Sequence, residues 1–157
     1  MEPTRKAMAT LLREAFYGRP EGKDSTWFVE GREAILPTLD EVDAMTASHS
    51  PASGVFTLAA HAYHLRYILH WCNTSEGDPR PEGDWESTWA KQVVTDEEWN
   101  DLRAEIKERF ERAVGWLERD GQLEDEDADL MLLSVLPHVA YHLGAMRVIL
   151  TLLKNLA

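Results

Sequence analysis

Apolar residues recur three and four positions apart along nearly the whole chain, and strict alternation never lasts beyond a few residues. Such spacing keeps one face of a helix apolar but cannot do so for a strand, so it predicts an all-α protein without a sheet. Five helical segments follow. The first spans about Pro3 to Tyr17, with proline near its start, where a missing N–H costs nothing, and Gly18 as its stop. A polar stretch, Arg19 to Thr26, leads past Trp27 and Phe28 to a second segment at about Arg32 to Ala47, with Pro37 early in it. Ser53, after the turn residues SHSPASG, is the expected N-cap of a third segment reaching about Asn73.

From Thr74 to Val94 runs a loop rich in Gly, Pro and Asp, in which Trp85, Trp89 and Val93 recur every four residues and predict a short helix laid across the core. Thr95-Asp96-Glu97-Glu98 fits a capping box and should open a fourth helix running to about Asp120, with Trp99, Leu102, Ile106, Phe110, Ala113 and Leu117 as its apolar stripe. Gly121 and the acidic run Glu124 to Asp129 precede the last helix, about Asp125 to Asn155, which is apolar on nearly every side and should be the most centrally buried.

The 157 residues suit one domain, 1–157, large enough for a core without staples. Sixteen basic against 28 acidic residues give a net charge of −12, which repels nucleic-acid backbones and anionic lipid surfaces, so neither nucleic acid nor membrane is an expected partner. The residues Met1-Glu2-Pro3-Thr4 lack the basic-then-apolar layout of a secretory signal, and the one cysteine, Cys72, allows no internal disulfide; the expected location is cytoplasmic.

Four of the six histidines form two close pairs on apolar helices, His61 with His64 and His138 with His142. Spacings of three and four put each pair on one helical face, about one turn apart. Neutral imidazole ligates divalent zinc, nickel, copper or iron, and three such nitrogens leave coordination positions open for water or substrate. The expected ligands are His61, His138 and His142, with His61 preferred over His64 because small residues flank it; His64 is the alternate ligand or a supporting partner. A lone core histidine is more often a hydrogen-bonded packing residue, and it is the pairing that tips the balance. His70 should face away, and His49 lies in a turn. Pro137 removes a helix hydrogen bond just before His138, and Gly144 suggests a close approach by a neighbouring helix or a ligand.

The segments SGVFTLAAHAYHLRYILHW (53–71) and PHVAYHLGAMRVIL (137–150) resemble the two histidine segments of the DinB-like (DinB/YfiT-like) superfamily of metalloenzymes, and the order of segments is similar over most of the chain. The resemblance implies a four-helix bundle, here with an additional short N-terminal helix and a long Trp-containing loop. It implies a divalent metal of the Zn, Ni or Fe class on His61, His138 and His142, and a low-molecular-weight thiol as cosubstrate in an S-transferase or isomerase reaction. HAYH in place of a single histidine departs from that pattern, and no thiol-binding motif is present.

A metal-dependent hydrolase is the alternative, although no Glu or Asp lies three or four residues from the preferred histidines to serve as a base. A di-iron carboxylate site is disfavoured because Leu58, Val135 and Val139 stand where Glu-x-x-His needs glutamate. Haem on two histidines, Cys72 as a nucleophile, and a non-enzymatic, metal-stabilised dimerising module with Trp85 and Trp89 at its interface complete the rivals. A small-molecule substrate and a homodimer are the expected partners. Arg66 and Arg147 are read as surface residues before anion binders.

Overall fold

The computed structural model describes residues 3–19, 26–29, 32–119 and 126–156. Among these the chain is helical and holds no strand. The helices are α1 (Pro3–Tyr17), α2 (Ile35–Asp40), α3 (Ala44–Ala47), α4 (Leu58–Asn73), α5 (Asp96–Glu118) and α6 (Glu126–Leu156), with short 3-10 turns at Thr74–Glu76 and Ser87–Trp89. Gly121, Glu124 and most of Arg19–Thr26 lie outside the described residues.

Local chemistry sets most of these boundaries. Gly18 ends α1 in the left-handed region (φ 88°), its N–H returning to the Glu14 carbonyl. The capping box at α5 forms as the sequence requires: Thr95 accepts from the Glu98 N–H while the Glu98 carboxylate accepts from the Thr95 N–H. The expected second helix is divided in two, because the Asp43 carboxylate accepts the Thr46 N–H and caps a new turn instead of continuing the old one. Ser53 is not the cap of α4. Thr57 is, accepting from Ala60 N–H, and its own hydroxyl and N–H donate to the carbonyl and side-chain oxygens of Gln92. Those two bonds pin the tryptophan loop to the start of the histidine helix. The turn Ser87–Trp89 is all that forms of the expected loop helix, and Val93 is exposed.

Helices α1 and α4 each pack against both α5 and α6, and α2 reaches α1, α5 and α6. Phe16 stacks on Phe110 with ring centroids 3.8 Å apart, joining α1 to α5, and fully buried Ile35, Leu39, Leu58, Leu65, Ile106 and Met146 fill the space between. Buried Glu14 accepts from Thr26 and from the Val29 N–H, so a carboxylate inside α1 is satisfied by the segment that crosses it. Arg112 forks onto Asp78 at 2.9 and 2.7 Å and ties the loop after α4 to α5.

Helix α6 departs from expectation. Its buried face, Val139, His142, Leu143, Met146, Ile149, Leu150 and Leu153, enters the core, but Leu130, Leu133, Tyr141, Val148, Leu152 and Leu156 are exposed. The described residues cover the first set and leave the second largely uncovered. Over Leu133–Leu156 the helix is long and apolar enough to cross a membrane, and Pro137 sits inside it without ending it.

Candidate metal centre

Helix α4 carries His61 and His64 on its buried side, and α6 brings His138 and His142 to meet them. All four rings converge. One nitrogen from each of His64, His138 and His142 falls within 4.8 Å of the others. The sequence preference for His61 is where geometry and expectation part: the ion-sized group is made with His64, while His61 sits behind it.

The hydrogen bonds explain the difference. Nε2 of His142 lies 3.0 Å from Nε2 of His138, whereas Nδ1 of His142 lies 3.0 Å from Nδ1 of His61. Two nitrogens each about 2.0–2.1 Å from one ion sit about 2.9–3.4 Å apart, so either pair could share a cation. One imidazole cannot, however, turn both of its diverging nitrogens to the same ion. With His142 facing His138, His61 is left to hold the opposite nitrogen of His142.

His64 is prepared in the same sense. The Thr88 hydroxyl donates to the Trp85 carbonyl at 2.7 Å, so toward His64 it can only accept, and His64 Nδ1–H donates to it at 2.6 Å. The lone pair of His64 is thereby on Nε2, which is buried and has no hydrogen-bond partner. An orphaned imidazole nitrogen at such a place costs stability unless a ligand takes it.

Aromatic rings enclose the group. Trp89 stacks on His64 at 4.3 Å between centroids and on His142 at 5.5 Å, and Trp85 meets His64 edge-on at 4.4 Å. Phe56 stacks on Trp89, and Tyr141 stands beside His142. This shell lowers the basicity of every ring. Burial pushes His61 down to about 4; burial, and then the nearby His138 and His61, push His64 down to about 4 as well. His138 is lowered by burial, and His142, desolvated and surrounded by the other three, falls to about 2. At neutral pH the four imidazoles are therefore uncharged, the form that binds metal.

No carboxylate joins this histidine group among the described residues. A cleft of about 450 Å³ opens beside it, lined by Tyr63, Arg66, Tyr67, Thr88 and Lys91, and shares Thr88 with the centre. Arg66 lies over the Tyr63 ring and pairs with Glu105, and Lys91 pairs with Glu98. Arg147 is remote from the centre, pairing with Glu33 and Glu41 near α2. Burial raises the Cys72 thiol to about 12, which keeps it protonated at neutral pH. His70 and His49 stay outside the cluster, as their positions predict. Thr88 escaped the sequence reading, because a threonine in a polar loop carries no periodic signal.

Comparison of the chain with family models, curated proteins and solved structures finds no match.

Proposed function

We propose that the chain is a metal-dependent enzyme of four-helix-bundle architecture, α1, α4, α5 and α6 forming the bundle and the tryptophan loop covering its centre. His64, His138 and His142 would hold one divalent ion of the zinc, nickel or iron class. The observation that carries this is the bare, buried Nε2 of His64 beside the 3.0 Å pair of His138 and His142 nitrogens. Bound there, the ion would supply Lewis acidity, lowering the pKa of a thiol or a water. The chain's residues would do the rest: Thr88 and His61 fix the ring orientations, Trp85 and Trp89 keep bulk water out, and the adjacent cleft holds a small substrate.

A low-molecular-weight thiol is the favoured substrate class, in keeping with the DinB-like resemblance of the two histidine segments. Hydrolysis ranks second, because no carboxylate among the described residues stands in the group to serve as a general base. A closed, structural metal site in a binding module is the remaining reading, and it would need His61 to turn from the far nitrogen of His142 toward the ion.

The test is elemental analysis of protein purified without a chelating resin, alongside His64→Ala, His138→Ala and His142→Ala. One equivalent of metal in the parent and loss in each variant is expected; stoichiometric metal in the variants would remove the proposal. Cobalt-substituted protein then separates the classes. An open site changes its visible spectrum when a thiol is added, and a closed structural site does not.

A further inference from the structure

We infer that the exposed face of α6 is the interface of a two-fold symmetric homodimer, in which two α6 helices cross antiparallel about Gly144. This inference is independent of the metal reading. From Leu130 to Leu152 the exposed positions among the described side chains are Leu130, Leu133, Ser134, Pro137, Tyr141, Gly144, Val148, Thr151 and Leu152, and none is charged. On a chain whose net charge is −12, such a stretch is where two copies can meet without setting like charges against each other.

The occupant is identified by the order of the residues. Around a point between Gly144 and Ala145 the apolar positions are mirrored: Tyr141 with Val148, Pro137 with Leu152, Leu133 with Leu156. An antiparallel second copy satisfies all three pairs at once, and an isologous two-fold contact demands that kind of self-complementarity. Gly144 lies at the centre. A Cβ added there would meet nothing within 4 Å, so packing among the described residues gives no reason for a glycine that weakens the helix. A second backbone crossing at that point does give one.

Leu133–Leu156 is 24 residues, about 35 Å long. At a helix width of about 10–12 Å the strip covers roughly 350–420 Å² per copy, so the two α6 strips supply roughly 700–840 Å² of the about 1,200 Å² of a specific interface, and exposed neighbours such as Trp85, which meets His138, would supply the rest. Tyr141 belongs both to this face and to the surroundings of His142, so the second copy also walls the mouth of the histidine centre.

Sedimentation equilibrium of the purified chain at micromolar concentration should give twice 17.9 kDa. Val148→Asp should give a monomer with unchanged helical circular dichroism and unchanged metal content, which separates this interface from the centre. In a Cys72→Ala background, Gly144→Cys should cross-link to its copy on mild oxidation, whereas Leu133→Cys, about 35 Å from its counterpart, should not. A monomeric parent overturns the inference, whether it stays in solution or floats with phosphatidylcholine vesicles. A dimer that survives Val148→Asp, or equal cross-linking at both cysteine positions, overturns it too.

Discussion

His64 and His61 differ by three positions on one helix, yet their roles divide at the atomic level. His64 offers a bare Nε2 to the ion-sized group, and His61 holds the far nitrogen of His142. His64→Ala should therefore abolish stoichiometric metal binding, while His61→Ala should weaken affinity about 10- to 100-fold, the usual cost of losing a group that orients a ligand. Competition with a chromophoric chelator measures both, and equal losses would show that His61 is itself a ligand. Thr88→Val removes the acceptor that fixes the His64 tautomer. A weakening of metal affinity of at least about tenfold with an unchanged unfolding midpoint is expected; full affinity would mean that the hydroxyl does not set the ring.

Among the elements, the two long helices with sharp starts owe them to threonines. Thr95 caps α5 in a reciprocal box, and Thr95→Ala should cost about 1 kcal/mol of stability, read as a lower urea midpoint with an unchanged slope. An unaltered midpoint would show that the packing of Trp99, rather than the cap, holds that end. This box was legible in the sequence because its four residues are contiguous and their mutual hydrogen bonds need no tertiary partner. Thr57 was not legible as a cap. Its advantage over Ser53 comes from Gln92, which lies 35 residues away. The division between α2 and α3 has the same character, because a local cap at Asp43 outweighed apolar spacing that allowed one continuous helix.

At the scale of the whole molecule, the four neutral imidazoles couple the fold to pH. His61 and His64 have folded values of about 4, below the ordinary value near 6.5, so in acid the unfolded chain takes up protons first. Their contribution is fully present above about pH 6.5 and is lost as pH falls toward about 4. Metal-free protein should show a urea midpoint that drops between pH 7 and pH 5, before the carboxylates protonate. A flat midpoint across that range would show that the rings are not buried in neutral form.

The sequence by itself determined the helical class, the helix order, the start of α5 and the two histidine pairs, because periodicity, capping boxes and i, i+3 or i, i+4 spacing are properties of a continuous stretch of backbone. Only the tertiary structure decided how the two histidines of the HAYH pair meet those of α6: a nitrogen of His64 falls within 4.8 Å of nitrogens of His138 and His142, while His61 meets the other nitrogen of His142. It also decided that α6 is half exposed despite being apolar all round. A helix's own pattern records what each face would tolerate, and the number of neighbouring helices sets how much of that surface is covered: here α1, α2 and α4 cover one side of α6.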